Sequence, residues 1–271
     1  MSVDGGSLFD AARACLDAAS ADAKVATTAA AAAAFAAGRL AIDPDAPAPR
    51  PIAMPGRPAR PARVPPRSLP QRGLGSAVGR AAFVHAIAHI EFNAIDLGWD
   101  AVYRFRGMPD AYYADWVGIA ADEARHFSML RTRLQALGHD YGDFDAHNGL
   151  WEMAEQTAGD VIARMALVPR VLEARGLDVT PGMIDRLRGL GDDATAGILA
   201  VILDEEVAHV AAGSRWFRWC CARAGIAPEP RFRALLDDYA RGALRGPFNL
   251  DARSAAGFSA DELRALQDLS I

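Results

Sequence analysis

The chain has 271 residues, 51% of them hydrophobic, with 29 basic against 34 acidic side chains and a net charge of −5 at pH 7. That length can bury a substantial core, and the acidic balance argues against broad nonspecific nucleic-acid binding. No apolar run reaches the roughly 20 residues of a membrane span, and three cysteines, two of them adjacent at Cys220 and Cys221, make no disulfide framework.

The N-terminus, Met1-Ser-Val-Asp4, lacks the basic region and leucine-rich segment of a signal peptide, which reads as a cytoplasmic protein without membrane contact. Within residues 1–42, the Ala-rich stretch from Leu8 to Leu40 predicts a solvent-exposed helix or helix pair. Residues 43–74 are a Pro/Arg-rich linker or strap. Ten prolines between Pro44 and Pro70 and six arginines from Arg50 to Arg72 exclude a helix there and predict an extended path over a surface or between domains. A structural strap is the preferred reading, with a basic arm for RNA or a partner subunit as the alternative.

Residues 75–225 read as four long helices. Helix A is predicted over Ala77 to Arg104 and helix B over Asp110 to Leu137, with Gly138 and Gly142 ending it. Helix C is predicted from about Leu150 toward Ala174, bent or interrupted at Pro169 and stopped by Gly176, and a shorter helix from Pro181 to Gly191 follows. Helix D covers Asp193 to Ala224. In the tail, residues 226–271, a helical piece runs from Glu229 to Ala240, and Ser259-Ala-Asp-Glu262 is a capping box opening a last short helix. Alternating β-branched runs are absent, so the class is all-α.

Two strings, Glu123-Ala-Arg-His126 and Glu206-Val-Ala-His209, place a carboxylate three residues before an imidazole. Three residues is about one helical turn, so both side chains share a face. In helix B that face also carries Trp116, Ile119, Ala120, Phe127 and Leu130; in helix D it carries Ile198, Leu199, Ile202, Leu203 and Val210. Helix A sets Glu91 in an apolar row with Val84, Ile87, Ala88, Ala94 and Ile95, where a carboxylate is costly unless paired or metal-bound. For helix C the stripe Trp151, Ala154, Ala158, Val161, Ile162 and Met165 favours Glu155, with Glu152 as an accessory or substitute ligand.

One Glu from each of two helices and Glu-x-x-His from each of two others is the ligand set of a four-helix bundle that holds two metal ions. The expected ligands are Glu91, Glu123, His126, Glu155, Glu206 and His209, a set suited to iron or manganese. The opposing reading pairs the buried acids with arginines such as Arg125, Arg164 and Arg170. His85 and His89 flank the Glu91 stripe and read chiefly as ordinary polar histidines, with a role at a ligand as the lesser option. Asp96, Asp122, Asp160 and Glu205 are candidates to hold the far nitrogen of His126 or His209.

The segments His85-Ala-Ile-Ala-His-Ile-Glu91, Asp122-Glu-Ala-Arg-His126, Gly149-Leu-Trp-Glu-Met-Ala-Glu155, Leu167-Val-Pro-Arg-Val-Leu-Glu-Ala-Arg-Gly-Leu-Asp178 and Asp204-Glu-Glu-Val-Ala-His209 closely resemble the bacterial DUF455 family, a ferritin-like family of unassigned biochemical role. The likeness covers about Gly75 to Gly225 and part of the tail. It implies a ferritin-like fold with a di-iron or mixed manganese–iron centre, with Glu91, Glu123, His126, Glu206 and His209 on the expected ligand positions. The fourth-helix motif departs from the common Asp-Glu-x-Gly-His form, yet both ligand positions remain. A more distant likeness to a di-iron hydroxylase acting on a modified adenosine in tRNA raises an RNA substrate.

The function expected is an oxygen-dependent oxidoreductase, hydroxylase or oxidase in type, acting on an unidentified small molecule and fed by an external electron donor. A homodimer is an allowed assembly. The alternative is a metal-binding or peroxide-scavenging protein without oxygenase activity.

Overall fold

The structure, a computed structural model, describes residues 6–70, 72–239 and 246–268. Met1 to Asp4, read above for a leader, and Ala240, the expected end of a tail helix, lie outside them. The regular elements among the described residues are helices, and the only extended pairings there are single-residue bridges from Ser7 to Ala41 and from Arg63 to Ala146. The chain divides into two compact units, Met1–Glu155 and Gln156–Ile271.

The first unit begins with α1 (Leu8–Asp17) and α2 (Ala21–Ala36). Ser7 and Ser20 cap them by accepting from the backbone N–H groups of Phe9 and Ala23. Two long helices follow, α3 (Ala77–Arg104) and α4 (Asp110–Ala136), close to the limits predicted for helices A and B. They pack antiparallel along their length, and the axes come close at Gly98, where a Cβ would stand 2.9 Å from that of Ala120.

The N-terminal helices are more than an exposed appendage: α1 packs on α3 and α2 on α4. Lys24 of α2 is fully buried, with its ammonium donating to the carbonyls of Cys15 and Leu16 and to the Asp96 carboxylate of α3. Trp99 Nε1 donates to Thr28 Oγ1 at 2.9 Å. Between α2 and α3 the Pro-rich segment carries one short 3-10 turn (Pro66–Ser68) and is otherwise a strap held by its backbone. Gly56 N–H donates to Leu16 O, Arg50 N–H to Tyr103 Oη, and Val64 N–H to Ala146 O, while Ala53 O accepts from Trp151 Nε1. Proline's missing N–H rules out a helix but leaves these isolated bonds available.

The region expected to hold helix C is built differently from its prediction. α5 (Gly149–Gln156) stops at Thr157, and after a break Asp160 caps α6 (Val161–Leu167) by accepting from Ala163 N–H at 3.0 Å. A π-helical segment, Val168–Glu173, follows around Pro169 and runs directly into α7 (Ala174–Gly189). Proline lacks the N–H for the regular ladder, and the wider turn absorbs the disruption without ending the helix.

Gly176 and Pro181, expected to stop one helix and start another, both lie inside α7. Pro181 is tolerated because Leu177 O, the carbonyl it leaves without a helical donor, accepts from Asn249 Nδ2 at 3.1 Å. α8 (Asp193–Ala224) matches helix D and ends at Gly225, whose φ of 68° is the left-handed cap conformation. It packs on α6, the π-helical segment and α7.

The tail adds α9 (Pro228–Tyr239), α10 (Leu250–Ala255) and α11 (Ala260–Asp268). The expected capping box is present: Ser259 N–H donates to Glu262 Oε2 at 2.8 Å and Glu262 N–H to Ser259 Oγ at 3.2 Å. Glu262 also grips Arg170 of the π-helical segment at 2.7 Å, and the guanidinium lies over Phe217, Phe232 and Phe258. No described helix is long and apolar enough to cross a membrane.

Candidate metal centre

In the first unit, Glu91 of α3 and Glu123 and His126 of α4 are buried and converge. His126 Nδ1 stands 3.3 Å from Glu91 Oε2 and 3.4 Å from Glu123 Oε2, and each of the three residues offers a ligand atom within 4.8 Å of the others. Donors about 2.0–2.2 Å from one ion stand roughly 3–4.4 Å apart, so these spacings suit a shared cation. Two carboxylates and an imidazole suit iron or manganese, as expected from the chemistry of the donors.

Burial alone would make the His126 imidazolium harder to form, but the carboxylates of Glu123 and Glu91 prevail and raise its pKa to about 10. Without a metal, the cluster therefore keeps a proton where a cation would sit. A metal bound by these three residues would have to displace that proton.

In the second unit, α8 sets Glu206 and His209 on one face, with His209 Nδ1 3.4 Å from Glu206 Oε1 and both largely buried. Glu155, expected from helix C, is exposed, and so is Glu152. The break after Gln156 discards the continuous periodicity on which that choice rested: the apolar stripe spans two separate helices. Glu173, not singled out in the sequence, closes the π-helical segment that packs on α8, and its Oε2 is buried, which makes it the candidate acid on this side. A signal for it existed. Glu91 precedes Glu123 by 32 positions and Glu173 precedes Glu206 by 33, whereas Glu155 precedes it by 51.

The neighbouring candidates have other duties. His89 Nε2 must donate to His147 O at 3.0 Å, which leaves Nδ1 to accept from Tyr141 Oη at 2.8 Å. His85 Nε2 accepts from Gly142 N–H at 3.0 Å. Burial holds both imidazoles neutral, at about 4, and both anchor the chain between α4 and α5. Asp96 is engaged by Lys24, Asp122 pairs with Arg125 on the surface, and Asp160 caps α6 and meets Arg231. Arg170 pairs with Glu262. Cys15, Cys220 and Cys221 are buried free thiols, and burial raises Cys15 and Cys220 to about 12, away from nucleophilic use.

A family model described as a protein of unknown function, DUF455, matches residues 17–264. That span takes in α2, the strap and most of the tail as well as the long helices. A Haemophilus influenzae protein, named only as uncharacterized, is 45% identical over 213 residues, covering 76% of this chain and 74% of the relative. No solved structure matches.

Proposed function

The chain belongs to the DUF455 family, and we propose that it is a dimetal, oxygen-dependent oxidoreductase of hydroxylase or oxidase type. The observation that carries this reading is the buried group Glu91, Glu123 and His126, three donors from α3 and α4 spaced for a shared cation. Glu206 and His209 repeat the Glu-x-x-His pattern, and Glu173 takes the place first expected of Glu155. The proposed set is thus Glu91, Glu123, His126, Glu173, Glu206 and His209, four carboxylates and two imidazoles for two ions.

Two iron ions, or one manganese and one iron, would supply electrons to dioxygen when bound. The protein's own contribution is different. Its carboxylates offset the ionic charge, and Trp116, Ile119, Phe127 and Leu130 on the same face of α4 exclude water from the donors. Reducing equivalents would come from an external donor protein, and the substrate would be an organic molecule of unassigned identity.

Metal analysis after reconstitution with iron or manganese tests the first step, with about two ions per chain expected. Reduced, metal-loaded protein should then consume dioxygen in an oxygen-electrode assay. Bound metal with no oxygen uptake would sink the oxidoreductase reading and leave a metal-binding protein. Turnover of peroxide without an organic substrate would instead make it a scavenger.

A further inference from the structure

On a different face of α3 lies a cavity of about 310 Å³, roofed by the Pro-rich strap. Pro55, Pro58, Pro61 and Phe92 give it apolar walls, while Arg57, Arg63 and Tyr141 bring polar groups to it, and polar surface makes up the larger part of its lining. Helical residues advance roughly 100° each, so Glu91 points at least that far from His89 and Phe92, the α3 residues that line the cavity. The cavity is therefore separate from the proposed metal centre.

Arg57 is the informative residue. Its side chain is 8% exposed, and Nη1 donates to Asn148 Oδ1 at 3.0 Å. Nε and Nη2, the parallel pair of N–H groups that grips a carboxylate or phosphate side-on, make no hydrogen bond. The nearest acid, Asp96, lies 3.7 Å from Nη2 and is already held by Lys24. Burial raises the Asp96 carboxyl to about 6 despite these cations, which leaves it ionised at neutral pH. Two buried cations thus share one carboxylate.

Nothing nearby in the strap corrects the imbalance: residues 46–90 contain seven arginines and no acidic residue. Arg63, exposed at the cavity, rests one Nη on Met54 Sδ. His89 is neutral and its two nitrogens are committed to Tyr141 and His147. Asp100, the next acid along α3, is bound by Arg104.

We propose that this cavity binds a small organic anion, with its carboxylate or phosphate on the Nε/Nη2 edge of Arg57 and its apolar body against Phe92 and the strap prolines. Both N–H groups are shielded from bulk water, so the occupant reaches them as the strap yields slightly outward. Tyr141 Oη, having donated to His89, offers only an acceptor and favours a ligand with a hydroxyl or amide N–H near its anionic end. The seat explains why a Pro-rich segment carrying surplus cations is clamped to the helices and not left free.

The test uses the full chain labelled with ¹⁵N-arginine, titrated separately with benzoate and inorganic phosphate. The Arg57 Nε–H resonance, assigned by its loss in Arg57→Lys, should shift saturably with at least one probe, at half-saturation near or below about 1 mM. The probe that saturates earlier identifies the anion class. By isothermal titration calorimetry with the same probes, which does not depend on the Arg57 signal, Arg63→Gln, at an exposed position, should weaken binding about threefold, and Arg57→Gln at least about tenfold. An Arg57 resonance unmoved by both probes at about 10 mM in folded wild-type protein overturns the proposal. So does unchanged affinity in folded Arg57→Gln.

Discussion

In the unit Met1–Glu155, two carboxylates and an imidazole come from two uninterrupted helices, whereas in Gln156–Ile271 the corresponding spacing starts from a π-helical turn. α3 and α4 need only regular 3.6-residue periodicity to bring Glu91 beside His126. The other half presents Glu173 after a proline, in a segment held by distant contacts. Arg170, three residues earlier, is fixed by Glu262, Ser214 and three phenylalanines drawn from α8, α9 and the link between α10 and α11. One half is specified locally, and the other depends on its tail.

The largest expected effects test whether the halves are equivalent in chemistry despite that difference. Glu123→Gln and Glu206→Gln should each lower metal affinity at least about 100-fold, since each removes a charged ligand. Loss in Glu123→Gln with full retention in Glu206→Gln would reduce the centre to the first unit's three donors. Glu173→Gln should resemble Glu206→Gln, while Glu155→Gln and Glu152→Gln, on exposed side chains, should keep wild-type metal content. Elemental analysis of the purified variants decides. A metal-replete Glu173→Gln beside a depleted Glu155→Gln would restore the original assignment.

The long helices and five of the six proposed ligands were legible because Glu-x-x-His on an apolar face is a local pattern. Helix A's Glu91 was legible as a lone carboxylate in an apolar row, which is also a local pattern. Helix C was not, because the stripe from Trp151 to Met165 reads as continuous only if one helix joins them, and Thr157 to Asp160 break it. Pro169 announced a disturbance but not its form: a kink, a stop and a π-helical turn all follow from a missing N–H. Lys24 was also hidden, since a lysine in an alanine-rich helix reads as surface until Asp96 is placed opposite it. The role of Asn249 in completing Pro181's turn spans 68 positions and has no local signature.

Breaking the tail's hold should cost the second unit more than any packing change. Glu262→Ala leaves the Arg170 guanidinium buried and without its carboxylate, at a cost of about 3–5 kcal/mol, and removes one arm of the α11 capping box. Urea unfolding should show it as a lower midpoint. If Arg170 sets the register of the π-helical turn, metal content falls as well, while Glu262→Gln, whose single amide oxygen can still accept from Arg170 or from Ser259 N–H but not from both, retains more of each than Glu262→Ala. Equal stability in Glu262→Ala and wild type would show that the tail is not what secures the turn.

The smallest effects come from the two glycines that admit close approach. A Cβ at Gly213 of α8 would lie 2.3 Å from Cγ of Pro169, and a rigid ring in the π-helical turn cannot step aside without moving the backbone. Gly213→Ala should therefore destabilise by about 1–3 kcal/mol and weaken metal binding through Glu173. At Gly98 the new methyl meets the Ala120 Cβ at 2.9 Å and its Cα at 3.2 Å, a contact that α3 and α4 relieve by parting a few tenths of an ångström. Its cost should be about 1 kcal/mol, with metal content unchanged, because Glu91 and Glu123 lie more than half a turn away along continuous helices. Metal loss in Gly98→Ala at that modest cost would mean that the first unit's donors tolerate less displacement than two regular helices should require.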